Sequence, residues 1–222
     1  MEAKNYYINP KYTSTSQKIK NTKILLNKYI TSKITYAFSG DEEVLDGSTI
    51  NNFLGVDENL EITFDKDKMD DYVKKVDNNY NTYGKQRNFA TSLGKTVKVS
   101  GGDYGWLVSR SGEVNDLIVA IKAGQTITKE PHYTQTAASH DINDIGSTYV
   151  EINLTKQHLW FYKNGSLVVQ GDVVTGDVSK NYATPAGVYI LKYKEKNATL
   201  KGEGYSTPVD VFMPFKWWNW YI

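Results

Sequence analysis

The chain contains no cysteine. That excludes disulfide staples, thiolate metal sites and any reaction that needs a sulfur nucleophile from these 222 residues. It does not identify a compartment, because many secreted bacterial proteins also lack cysteine. Long hydrophobic runs are missing too. No segment approaches the ~20 consecutive apolar residues of a membrane span, so the chain is expected to be soluble. The opening residues Met1-Glu2-Ala3-Lys4-Asn5-Tyr6-Tyr7 show no basic stretch followed by an apolar run, and no signal peptide is expected. An excess of either charge is absent as well. Twenty-six Lys and Arg against twenty-five Asp and Glu leave +1, so nothing implies a polyanion or nucleic-acid partner. The three histidines, His132, His140 and His158, share no spacing typical of metal ligands. They read as structural or solvated, and neither a metal nor a cofactor is implied.

What remains is a polar chain rich in hydroxyl groups, with seventeen tyrosines. A globular protein of this length buries roughly 70% of its unfolded surface, enough for a core without staples. Residues Lys18 to Ile30 carry a loose helical stripe of Ile19, Leu25, Leu26, Tyr29 and Ile30. Ile34-Thr35-Tyr36-Ala37-Phe38 alternates as a strand does and runs into a turn at Ser39-Gly40-Asp41. Asp46 precedes a short helix expected to reach Leu54. The clearest helix is expected from Asp65, its N-cap, to Tyr83, because Met69, Tyr72, Val73, Val76, Tyr80 and Tyr83 recur at spacings of three and four. Another follows Ser111, with Val114, Leu117, Ile118 and Ile121 on one face and Gly124 as its stop. Thr96 to Ser100 alternates as a strand.

From Ala137 to Ser147 periodicity disappears and Ser, Asp, Asn and Gly accumulate, the composition of a linker. Strand signals then dominate. Tyr149–Leu154 and His158–Tyr162 alternate, Asn164-Gly165 is a tight-turn dipeptide, and Leu167-Val168-Val169 returns as its partner. Gly187–Leu191 and Val209–Met213 are expected as further strands.

Several local patterns have plainer readings. Leu93-Gly94-Lys95-Thr96 resembles the end of a phosphate loop, but Phe89 stands where the first glycine belongs and a strand follows instead of a helix. Asp65-Lys66-Asp67 opens like a calcium loop without its third ligand or glycine, and suits a charged first helical turn better. Gly101-Gly102-Asp103-Tyr104-Gly105-Trp106 reads as a packed aromatic turn before it reads as a sugar contact. The glycosylation triplets at Asn153, Asn164 and Asn197 are of a kind chance supplies.

Four stretches in order carry a specific likeness. Tyr149–Leu154 with Gln157–Gly165, Val174-Thr175-Gly176, Ala183-Thr184-Pro185-Ala186-Gly187-Val188-Tyr189, and Phe212-Met213-Pro214-Phe215 resemble the start of the L,D-transpeptidase (YkuD-type) catalytic domain. The region from about Ile34 to Tyr133 resembles the peptidoglycan-binding domain that precedes such domains in Gram-positive, notably clostridial, proteins. The likeness there lies in Phe89–Ser92, Gly101–Trp106 and Ile121–Gly124.

The resemblance implies an N-terminal helical segment (1–33), an α+β peptidoglycan-binding domain (34–136), a linker (137–147) and a mostly-β, incomplete sandwich-like catalytic domain (148–222). It implies peptidoglycan stem peptides and glycan as partners and an extracytoplasmic, cell-wall location. Family members attack the L,D bond of a tetrapeptide stem with a cysteine thiolate, release D-alanine, and pass the acyl group to an amine on a second stem. Their His-Asp and Ser-His-Gly-Cys segments follow the Met-Pro-Phe strand, and Ile222 falls where the first should begin. No catalytic residue can therefore be assigned. Thr184, Gly187 and Met213 are the positions expected beside the cleft, where they would bind substrate: Pro185 fixes φ and Gly187 admits a close backbone.

Two readings stay open. The chain is expected to be a family member cut short before its chemistry; alternatively it is a non-catalytic peptidoglycan-binding protein. Open sheet edges and an uncovered apolar face are expected in the second half, where three of the five tryptophans fall in the last six residues.

Overall fold

The computed structural model describes residues 11–38, 40–140, 143–202 and 204–217. Trp218 and Trp220, counted above, lie outside them. The chain forms two compact units. One contains the chain up to Asn81 together with Val108–Thr134; the other contains Thr82–Leu107 together with the chain from Gln135.

In chain order the first elements are α1 (Gln17–Ile30), β1 (Lys33–Phe38), β2 (Asp41–Leu45), α2 (Gly47–Asn51), β3 (Leu54–Val56), β4 (Ile62–Phe64) and α3 (Lys66–Tyr80). Next come β5 (Arg87–Ala90), β6 (Thr96–Val99), β7 (Leu107–Val108), α4 (Arg110–Ala123), β8 (Thr126–Lys129) and β9 (Tyr133–Gln135). The remainder is β10 (Tyr149–Asn153), β11 (His158–Lys163), β12 (Ser166–Asp172), β13 (Glu195–Gly202) and β14 (Tyr205–Phe212). This is an α+β first part followed by a mostly-β second part, the class the sequence implies.

In the first unit β1 is the central strand, antiparallel to β2 and parallel to β8. Its alternation sends Ile34, Tyr36 and Phe38 into the core, against Met69, Val73 and Val76 of α3 and Leu117 and Ile121 of α4. Each such side chain contributes about 1.5–3 kcal/mol through burial. The caps follow the sequence. The Asp65 carboxylate accepts from the Lys68 N–H at 3.1 Å, the Asp46 carboxylate accepts from Ser48 and Thr49, and Gly124 takes the left-handed conformation that ends α4.

Two helices are shorter than their periodicity suggests. α3 stops at Tyr80 because Asn81 turns to extended backbone (φ −68°, ψ 148°). Thr82 and Tyr83 donate instead to the Trp106 carbonyl. α2 stops at Asn51, and Leu54–Val56 forms a strand paired with β4.

In the second unit β10, β11 and β12 form an antiparallel meander. Asn164 (φ 51°) and Gly165 (φ 78°) turn it with the two positive φ angles that the dipeptide favours. One face of this sheet carries Val150, Ile152 and Val169, all exposed, which fits the expected uncovered apolar face. β5 and β6 make a hairpin closed by Thr91 and Lys95, so Gly94-Lys95 is a strand turn and not a phosphate cradle. The expected strand Val209–Met213 is the end of the longer β14, paired with β13. The expected strand Gly187–Leu191 is not one. It makes a single parallel bridge, Val188 with Gly102, because its partner is a glycine turn and not a second strand.

Candidate functional site

Gly187 marks the place where two distant segments of the second unit meet. Its φ is +149°, and a Cβ there would lie 2.8 Å from the Gly102 nitrogen and 2.9 Å from the Gly101 carbonyl carbon. Gly102 is as tightly held, with φ +87° and a would-be Cβ 2.0 Å from the Val188 carbonyl oxygen. Only glycine permits this approach. The Val188 carbonyl accepts from the Asp103 and Tyr104 N–H groups at 3.0 and 3.1 Å, and the Val188 N–H donates to Gly101 at 3.1 Å. The Asp103 carboxylate accepts from the Ile190 N–H at 3.1 Å and pairs with the Lys192 ammonium. Lys192 then donates its own N–H to the buried Pro214 carbonyl at 2.8 Å.

This chain of contacts joins two of the three expected cleft positions. Gly187 and Met213 belong to one bonded framework through Val188, Asp103, Lys192 and Pro214, and Met213 is half exposed beside Pro214. Thr184 is engaged elsewhere: its hydroxyl oxygen accepts from the Gly176 N–H at 2.9 Å, closing the loop that contains the turn Val178–Lys180. Among the described residues no base is hydrogen-bonded to the Thr184 hydroxyl, and neither Gly187 nor Met213 carries a nucleophile.

A second network holds the same framework from behind. Arg87 and Asp144, 7% and 3% exposed, form a bidentate pair at 2.6 and 2.7 Å. Arg87 also donates to the carbonyls of Thr82, Lys85 and Tyr104, and the Thr82 hydroxyl donates to Asp144 at 2.6 Å. Burial pushes the Asp144 carboxyl up, but the hydrogen bonds from Arg87 and Thr82 outweigh it and leave it below the usual carboxylate range. The Trp106 indole N–H donates to Ser139 at 2.7 Å, and its ring stacks on His140 at 3.7 Å. The Gly101–Trp106 turn is thus packed, and His140 has a structural role. His158 pairs across strands with Asp172 at 2.7 Å.

Sequence reasoning missed Asp103, Lys192, Arg87 and Asp144 as framework residues. Asp103 lay within a noted motif, but partners 89 residues away leave no local signal. Glu113 was also missed. It is 1% exposed, at a core position of α4, and a carboxylate in line with Leu117 and Ile121 was the available clue. Among the described residues no cluster of His, Cys, Asp or Glu could hold a metal, and no helix is long and apolar enough to cross a membrane.

Comparison with known proteins adds identity to this geometry. Residues 12–129 match the family described as "Putative peptidoglycan binding domain", and residues 147–221 match the L,D-transpeptidase catalytic domain. A crystal structure of an Enterococcus faecium L,D-transpeptidase carrying a cysteine-to-serine mutation is similar over 91% of this chain and 84% of its own. The identity is 30% and the TM-score 0.63. The Ldtfm–avibactam carbamoyl enzyme is similar over 90% of this chain and 78% of its own, with 32% identity and a TM-score of 0.64. No curated protein matches. Both matched domains concern peptidoglycan, the polymer of the extracytoplasmic cell wall, and peptidoglycan is the partner they assign. By sequence and by fold, the chain belongs to the L,D-transpeptidase family.

Proposed function

We propose that this chain engages both the stem peptides and the glycan of peptidoglycan, and contributes the cleft-side scaffold of L,D-transpeptidation without the acyl-transfer thiol. The observation that carries the reading is the pairing of both family matches with a cysteine count of zero. The family's acyl-enzyme is a thioester, and the Thr184 hydroxyl oxygen is engaged as an acceptor by the Gly176 N–H. Thr184, Gly187 and Met213 line the path of the stem peptide in this reading. The loop carrying Thr184 is preclosed by its bond to Gly176, and Gly187 is fixed by the glycine turn at 101–102. A scaffold that rigid supports ordered binding of an extended peptide at low entropic cost.

Two measurements on the chain as given test it. Sedimentation with purified sacculi is expected to carry the protein into the pellet, and incubation with a carbapenem followed by intact mass is expected to show no adduct. A covalent adduct contradicts the catalytic half of the proposal. Protein that stays in the supernatant contradicts the binding half.

A further inference from the structure

A net charge near zero conceals how the lysines are distributed. Helix α1 carries four of them, Lys18, Lys20, Lys23 and Lys28, and no aspartate or glutamate. Its inner face is fixed on the first unit: Thr22 is buried, Leu26 is half-buried, and the Tyr29 ring packs on Phe64 at 5.9 Å. At about 3.6 residues per turn, the opposite face presents Lys20, Ile24 and Lys28 in one row, four residues apart. Ile24 is 65% exposed in the middle of that row, and Leu25 beside it is 43% exposed.

The lysines of this face are uncommitted. Lys18 pairs with Glu61 at 2.9 Å, whereas among the described residues no carboxylate lies within ion-pair distance of Lys20, Lys23 or Lys28. The acidic turn at 57–61 is held on the other flank of the helix, where the Thr22 hydroxyl donates to the Leu60 carbonyl at 2.8 Å. The Lys28 stem runs along the end of α4, so near Gly124 that a Cβ there would meet its Cγ and Cε at 3.1 Å. Lys122, exposed at that same helix end, adds a further ammonium, 5.5 Å over the Phe64 ring.

Single exposed apolar side chains are ordinary on a protein surface. Here, however, an isoleucine and a leucine stand together among cations alone. That combination fits a surface that is anionic at its face and apolar just beneath, a bilayer of acidic phospholipid. Lysine stems can lie along the apolar groups while their ammonium heads reach lipid phosphates. A soluble polyanion would use the lysines and leave Ile24 and Leu25 in water. A second copy of the chain would set lysine against lysine.

We propose that the outer face of α1 docks on an anionic lipid surface. Ile24 and Leu25 enter the headgroup layer, and Lys20, Lys23 and Lys28 bond the phosphates around them. The helix lies along the bilayer and does not cross it. The contact is peripheral and reversible, because few apolar side chains take part. It sets the first unit at a lipid surface and does not depend on which peptidoglycan groups the chain binds.

Cosedimentation of the full chain with vesicles reads the contact directly. One set is phosphatidylcholine alone; the other mixes phosphatidylcholine with phosphatidylglycerol. Binding is expected on the mixed vesicles only, and is expected to fall as salt is raised. Each lysine near a charged bilayer contributes about fivefold, so replacing Lys20, Lys23 and Lys28 together by Gln should cut partitioning about a hundredfold. Ile24→Gln keeps every charge and the helix propensity, and should cut it about tenfold. All four positions are exposed, and an unchanged circular dichroism spectrum shows that the variants fold. No binding to the mixed vesicles, equal binding to both sets, or Ile24→Gln binding like the parent overturns the proposal. Capture of inorganic polyphosphate, with vesicle binding indifferent to Ile24→Gln, overturns it in favour of a soluble-polyanion site.

Discussion

Arg87 and Asp144 show how much a single pair can decide. Both are almost wholly buried, and the carboxylate receives three hydrogen bonds, two from Arg87 and one from Thr82. Removing one partner of a buried pair leaves an uncompensated charge and costs about 3–5 kcal/mol. Arg87→Met is expected to lower the unfolding free energy of the second unit by that order, read as a lower urea midpoint, and an unchanged midpoint would show the pair to be ornamental. The same group gives a pH dependence of definite sign. Because the folded Asp144 pKa lies below its ordinary 3.8, its stabilisation is complete above that value and is lost as the pH falls through the lowered one. Acid unfolding should therefore show a component that Asp144→Asn lacks. None of this was legible from sequence. Asp144 sits in a stretch with the composition of a linker, and its partner is 57 residues away.

Local chemistry wrote the helix caps and the main hairpin plainly. Asp46 and Asp65 stand where side-chain caps are found, and Asn164-Gly165 adopts the paired positive φ angles that its composition favours. Gly124 ends α4 at φ 72°, and a Cβ there would meet Lys28 Cγ and Cε at 3.1 Å. Gly124→Ala is expected to lose about 1–2 kcal/mol from the left-handed conformation, read as a lower urea midpoint for the first unit. A variant as stable as the parent would mean that the helix end rearranges. Where the sequence misled, tertiary contacts had overridden local pattern. Gly187–Leu191 alternates as a strand, yet its backbone groups are taken by Gly101, Asp103 and Tyr104. β13 escaped notice because only Ala198 and Leu200 mark its apolar face and Asn197, at φ 53°, interrupts its register.

The molecule as a whole does not divide where its sequence matches do. Residues 82–107 lie inside the range matching the peptidoglycan-binding family, yet they fold into the second unit with the transpeptidase-like segment. There they supply Asp103 to Lys192 and Ile190, and Ser92 to the buried Glu151, whose carboxylate accepts from the Ser92 N–H and hydroxyl at 2.9 and 2.6 Å. Phe89 packs edge-on against Tyr149. Residues 148–222 expressed alone lack all of these partners and are expected to self-associate or to unfold without a cooperative transition. A monomeric fragment with a sharp melt would contradict that. By itself the sequence determined which segments are helices, which turns are tight, the family and the lack of cysteine in these residues, because these rest on periodicity, residue type and short-range motif. Only the tertiary structure decided which carboxylates are buried, why Gly187 must be glycine, and to which unit residues 82–107 belong. Those outcomes depend on pairs brought together across long separations, where desolvation and steric exclusion act and sequence spacing carries no trace.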